Sequence, residues 1–291
     1  MKRFFKCMVA FVAVVFLLAA GRAQAAVDWS DKCITVIGTG VANPALVRVP
    51  AQGQMLARRA AIADAYRQLA EMVQGVQVDA TTTVENMMTT SDIVKTKVSA
   101  LIKGAQVINE RAVEGGGYEV TMRMPLFGNG GLSTAVLAPP PVVEPFPEPP
   151  PEVIPSMPAY SKTGGTVASA VLRGGKNSPM AAIGGFTGLI IDCRGIGTLN
   201  PVISPVVKNV KGVKLYGHNL NSDLIITDGV LTYEQDSSQA GRAGSNPLVI
   251  KAVRLEDLSA NPVVSEEDGS RILIENGATG FLNKAAVVFL Y

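Results

Sequence analysis

The sequence predicts an α+β protein made of two small α/β-type domains, the first in the order β-α-β-α-β-β, joined by a proline-rich linker. Three observations predict it. Ten of the 18 prolines fall between Pro139 and Pro158. On both sides of that stretch, apolar residues recur at the two-residue spacing of strands and at the three- and four-residue spacing of helices. The 291 residues are 47% hydrophobic and 17% charged, enough for two cores and too apolar for an unfolded chain. The expected divisions are 1–25 for an export segment, 26–128 for the first domain, 129–164 for the linker and 165–291 for the second domain.

Lys2, Arg3 and Lys6 form a positive start, and Met8 to Ala20 is an apolar run. Ala23-Gln24-Ala25 then supplies small residues at the two positions that a signal peptidase reads. The run is shorter than the ~20 residues of a membrane span, so a cleaved leader is expected and no transmembrane segment after it. Cys7 precedes the apolar run, where it cannot accept a lipid. The formal charge is +2, and the first 25 residues carry Lys2, Arg3, Lys6 and Arg22 with no acid, so losing these four positive charges leaves the remainder at −2. A weakly acidic chain with no basic run offers nucleic acid little to hold. Cys33 and Cys193 remain. An oxidising compartment permits a bridge between them, but sequence cannot bring their Cα atoms within reach, and burial as two small apolar residues is the other reading.

In the first domain, Cys33 to Val41 reads as a strand and Gln52 to Gln74 as a helix. Met55, Ile62, Tyr66, Leu69 and Val73 make the expected inner stripe, with alanines on its flanks. Val76 to Val84 alternates as a strand does. Thr89, with Asp92 three residues on, is expected to cap a second helix that turns Val94, Val98, Leu101 and Ala105 inward and ends near Gly104. Val107 to Val113, a turn at Glu114 to Gly117, and Tyr118 to Met124 read as a hairpin.

Between 139 and 158, proline's fixed φ and missing N–H exclude helix and inner strand. At about 3.1 Å per residue the stretch would run roughly 60 Å as a polyproline II rod. Glu144, Glu148 and Glu152 repel one another along it. Beyond it, Thr187 to Cys193 reads as a buried strand. Ser204 to Val207 and Val213 to Tyr216 flank a turn, and Leu248 to Leu255 reads as one strand. Ser265 with Asp268 caps a helix that stops at Asn276-Gly277, and Ala285 to Tyr291 closes the domain as a core strand.

The run from Arg59 to Ala70, after the Thr35 to Gly40 strand and before Tyr118 to Met122 and Pro125-Leu126, resembles the bacterial envelope family of LPP-twenty lipoproteins. It is also similar to the N-terminal domain of flagellar assembly protein T. The resemblance covers about a hundred residues and implies a place in the cell envelope, with envelope proteins, peptidoglycan or the flagellar basal body as partners. Family members are often lipidated. This chain lacks an acceptor cysteine after its apolar run, so a non-lipidated protein of the periplasm or outer-membrane periphery is expected. The segments around Thr187 to Gly197, Asn200 to Pro205, Tyr216 to Asn219 and Asn246 to Val253 resemble the C-terminal half of uncharacterised envelope proteins of the same group.

No reaction is legible. Gly38-x-Gly40 and Gly195-x-Gly197 each follow a strand and each precede an Asn-Pro, but the third glycine of a dinucleotide loop is missing from both. Pro44 and Pro50 also stand between the first pair and the helix. His218 is the only histidine, in a loop, with no Ser or Cys nucleophile motif. The acids Asp223, Asp228, Asp236, Glu266, Glu267 and Asp268 have no calcium-loop spacing, and one His with two distant Cys makes no zinc tetrad. No catalytic, cofactor-binding or metal-binding residue is therefore assigned. The expectation is a non-catalytic envelope protein that assembles or tethers by contact. The alternatives are a glycan or peptidoglycan binder, for which Trp29 is the lone tryptophan, and an envelope hydrolase using His218.

Overall fold

The structure is a computed structural model that describes residues 25–137, 145–148, 181–218, 220 and 222–291. The predicted export segment, most of the proline-rich stretch and the start of the second domain lie outside the described residues. Pro145–Glu148 take part in no helix or strand. The chain divides into two compact units on either side of Pro139, apart from the loop tip Asp79–Thr81.

The first unit opens with β1 (Ala25–Asp28) and β2 (Cys33–Val41). Helices α1 (Pro50–Gly75), α2 (Val84–Thr90) and α3 (Asp92–Lys103) follow, and β3 (Gln106–Val113) and β4 (Gly117–Pro125) complete the sheet. A short turn of helix, α4 (Ser133–Val136), ends the unit. The sheet is antiparallel throughout, in the order β1-β2-β4-β3. The observed order is therefore β-β-α-α-α-β-β, not the expected β-α-β-α-β-β.

The alternating Val76 to Val84 stretch accounts for the difference. It forms one isolated bridge, Gln77 to Thr83, and no ladder. Val76, Val78 and Val84 are nonetheless buried, so the alternation reports burial correctly and pairing wrongly. The expected cap at Thr89 also moves. Thr83 Oγ1 accepts from Asn86 N at 3.2 Å to start α2, and Ser91 Oγ accepts from Val94 N to start α3. Thr89 lies inside α2, where its hydroxyl donates to the Glu85 carbonyl.

Helix α1 packs chiefly over β2 and β4, and its inner stripe is not the expected one. The buried residues are Ala57, Ala61, Ala65, Leu69 and Val73, while Met55 is 61% exposed. Alanines face inward because β2 meets the helix backbone to backbone. A Cβ on Gly38 would lie 2.2 Å from the Ala61 carbonyl oxygen, and one on Gly40 would lie 2.3 Å from that of Ala57. Ile34 and Val36 on β2, with Val120, Met122 and Met124 on β4, fill the remaining space beneath the helix. Pro50 opens α1 at its first turn, where its missing N–H costs nothing.

The second unit contains β5 (Gly188–Asp192), β6 (Val207–Asn209), β7 (Lys214–Tyr216), α5 (Ser222–Asp228) and β8 (Thr232–Glu234). It continues with β9 (Pro247–Lys251), β10 (Arg254–Glu256), β11 (Asn261–Val264), α6 (Glu266–Thr279) and β12 (Val287–Leu290). One sheet is parallel throughout, in the order β8-β12-β5-β9. The other is mixed, in the order β10-β11-β6-β7. The expected single strand Leu248 to Leu255 is split between the two sheets. Ala252 N donates to the Asp192 carbonyl beside β5, and Val253 N donates to the Val263 carbonyl on β11. The hairpin at Lys208 to Gly212 and the Ser265 cap are as expected, with Ser265 Oγ accepting from Asp268 N at 3.0 Å. Helix α6 passes the expected stop at Asn276-Gly277 and ends at Gly280, whose φ of 68° and N–H bond to the Asn276 carbonyl make a left-handed cap.

The terminal strand is core, as expected: all four residues of β12 are buried between β5 and β8. Tyr233 meets Phe289 edge to face at 5.8 Å, and its hydroxyl both accepts from Val202 N and donates to Val202 O at 3.0 Å. Arg242 pins the same region. Its guanidinium donates to the carbonyls of Ala285, Asp228 and Gly229 at 2.6–2.7 Å, and burial lowers its pKa from the ordinary value.

The close approach of α1 to β2 can be tested by substitution. Gly38→Ala should lower the urea-unfolding free energy of the first unit by about 3 kcal/mol, because the new methyl meets backbone that cannot move aside. Gly75→Ala, with nothing within 4 Å of the added carbon, should leave it unchanged or raise it by up to about 1 kcal/mol. Equal effects at the two sites would refute the backbone-contact account.

Candidate functional site

A cleft of about 350 Å³ lies at one end of the first unit's sheet, lined among others by Asp31, Lys32, Cys33, Gln106, Arg123 and Asn129. The turn between β1 and β2 builds one wall. Asp28 Oδ1 accepts from Asp31 N at 2.8 Å, and Lys32 takes a left-handed φ of 53°. The Lys32 carbonyl then accepts from Leu126 N, which ties the turn to the end of β4. Register places Thr35 opposite Arg123 and Cys33 opposite Pro125, on the sheet face away from α1.

Cys33 is only 4% exposed although it belongs to that open face. Arg123 lies on the same face, and the neighbouring Cys33 side chain, ahead of the fields of Asp31 and Asp28, raises the arginine's pKa. Arg123 Nη2 stands 3.9 Å from Asp31 Oδ2, too far for a hydrogen bond.

In the second unit, the parallel sheet brings Asp192, Glu234 and Lys251 to the carboxyl ends of β5, β8 and β9. Ligands of open parallel sheets sit outside that edge. Here Arg194 folds back on Asp192 with Nε to Oδ1 at 2.8 Å and Nη2 to Oδ2 at 2.9 Å. The arginine fork, ahead of the backbone N–H of Arg194, holds the Asp192 carboxyl below its ordinary value. The pair neutralises itself, so the edge presents no unmatched charge from these two residues.

The two glycine motifs share a spacing and not a structure. Gly38 and Gly40 lie inside β2 against α1, whereas Gly195 and Gly197 sit in a turn after β5 with φ of 80° and 135°. Neither precedes a helix N-terminus that could hold a phosphate. Asn43 Oδ1 accepts from Ala45 N, and Asn200 Nδ2 donates to the Leu258 carbonyl, so both Asn-Pro steps brace loops.

His218 lies half-buried in the bend after β7. Cys33 and Cys193 are free thiols, each buried. Burial, ahead of Asp192, pushes the Cys193 thiol up to about 12, which leaves it unreactive. Among the described residues no group of three or more His, Cys, Asp or Glu could hold a metal ion. None of their helices is long and apolar enough to cross a membrane.

Sequence reasoning missed Glu275. It is fully buried on α6. Its Oε1 accepts from Ile183 N at 2.8 Å and its Oε2 from Gly184 N at 2.9 Å. Arg271, one turn earlier, stands 3.4 Å from the same carboxylate and donates to the Ala181 carbonyl. Together they fasten the chain's entry into the second unit onto α6. The signal in sequence was faint: a Glu in register with the apolar Ile272 face of the helix.

Comparison with known proteins gives one family model for each unit. Residues 39–124 match the LPP20 lipoprotein family, and residues 188–291 match the second domain of Treponema pallidum Tp0624. The first unit is thus LPP20-like, over the span that holds α1 and the β3-β4 hairpin. Neither description names a flagellar component. No curated protein matches the chain.

The Glu275 clamp makes a prediction. Removing a buried carboxylate from two backbone donors and an arginine costs about 3 kcal/mol locally. Glu275→Ala should expose residues 181–187 to limited proteolysis at least tenfold faster, with Glu275→Gln between it and the parent. An unchanged cleavage rate would show that the segment is held by other contacts.

Proposed function

We propose that this protein is exported to the cell envelope and acts there by contact, joining one envelope component to another, without catalysis. The observation that carries this reading is the pairing of two compact units, each with its own family match, on either side of a stretch in which half the residues are proline. A stiff spacer between two folded units raises the effective concentration of one bound partner near another only when its length fits the gap. The buried Glu275 clamp supports the same reading, since it gives the spacer side of the second unit a fixed point of departure.

The family matched by the first unit is named for lipoproteins, which stands against a lipid-free protein. The position of Cys7 ahead of the apolar run argues the other way. We propose a non-lipidated chain at the periplasmic side of the envelope, with a flagellar basal-body partner as the version implied by resemblance to flagellar assembly protein T.

Affinity capture from envelope fractions should enrich the same envelope proteins with the whole chain, and lose at least one when either unit is deleted. Recovery of a full set by one unit alone would refute joining. Sedimentation with purified peptidoglycan should leave the chain in the supernatant, and co-sedimentation would favour the glycan-binding alternative. Radiolabelled palmitate should not enter the chain; its incorporation would establish lipidation.

A further inference from the structure

We propose that the cleft beside Arg123 binds a carboxylate ligand of amino-acid size, either a free amino acid or the last residue of a short peptide, with Arg123 receiving the carboxylate. The inference stands independently of the joining role above. Its first support is size. At about 350 Å³ the cleft lies at the small end of ligand pockets and has room for one or two residues.

Its second support is the state of the guanidinium. Three arginines of the first unit close tightly on carboxylates: Arg58 on Glu110 at 2.7 Å, Arg67 on Asp64 and Glu71 at 2.8 and 2.7 Å, and Arg111 on Glu119 at 2.5 Å. Arg123 stops 3.9 Å short of Asp31. This ion pair is long, so the fork is left without a close bidentate partner, the geometry in which a guanidinium matches a carboxylate. Lys32 adds a second cation to the lining, on a residue whose left-handed backbone is uncommon outside glycine and is fixed by the Leu126 bond.

The third support is the presence of both signs. Asp31 and Gly104 also line the cleft. Gly104 caps the carboxyl end of α3, the negative pole of that helix. An ammonium group is favoured there while a carboxylate is favoured at Arg123. The side-chain amides of Gln106 and Asn129 supply neutral donors and acceptors for a peptide link. A zwitterion fits this arrangement better than a simple anion does.

The test is a titration of the ¹⁵N-labelled chain, without its first 25 residues, by L-alanyl-L-alanine, by the same dipeptide amidated at its carboxyl end, and by acetate. The dipeptide should shift the Arg123 Nε–H and the amides of Lys32, Cys33, Gly104 and Gly130, saturating with a dissociation constant of about 1 mM or below. Amidation should weaken binding at least tenfold, and acetate should bind at least tenfold less tightly than the dipeptide. Arg123→Gln should abolish the shifts; the side chain is 45% exposed, so an unchanged thermal melt is expected. Asp31→Asn should weaken the dipeptide and leave acetate as it was. Absence of shifts at about 20 mM dipeptide, equal binding of the amidated form, or full binding by Arg123→Gln would overturn the proposal. Acetate binding as tightly as the dipeptide would overturn the amino-acid class.

Discussion

The first unit depends on one contact, the seating of α1 directly on the backbone of β2. Gly38 and Gly40 remove two side chains from the strand, and Ala57, Ala61 and Ala65 reduce the helix to its methyl groups. The gain is close packing over a long interface, with many weak dispersion contacts at short range. The constraint spreads outward from there. With β2 fixed under the helix, β4 is held on one side of it and β1 on the other, in registers of nine and four residue pairs. The cleft is then set by where β2 begins and β4 ends.

The second unit is held by a different device. Several of its loops are closed by polar side chains that bond to main-chain groups. Arg242 gathers three carbonyls, Asn200 takes that of Leu258, Asn261 accepts from Val206 N, and Glu275 takes two amides. The tight turn Asp257–Ser259, with three consecutive positive φ values, is secured in the same way by Asn200, and Asn261 donates to the Asp257 carboxylate. Loops of a small unit with strands only three to five residues long need such fastening, because short ladders supply few backbone partners of their own.

What could be read in the sequence followed the strength of local signals. The Ser265 cap, the β3-β4 hairpin with its three-glycine turn, and the burial of Val287 to Leu290 were all legible, since each is written in adjacent residues. The inner face of α1 was not. Large apolar residues were expected to face inward, and the deciding fact was the pair of glycines on another strand. The Val76 to Val84 stretch shows the same limit, because alternation carries burial but says nothing of a partner. β8 and β11 escaped because they are short, and β11 carries a proline within it. Of the cleft, Cys33 and Arg123 lie ninety residues apart and meet only through strand register, which no spacing rule reveals.

Strand β12 has an implication for how the chain matures. It forms an interior strand of the parallel sheet, where Val287 pairs with Leu189 and Val288 with Thr232. The edge strand β8 has no other neighbour in that sheet. A chain made from its N-terminus therefore completes this interior strand after every other strand of the sheet. Until it arrives, β5 is open along one edge and β8 has no partner in the sheet, so this half of the molecule is the last to close.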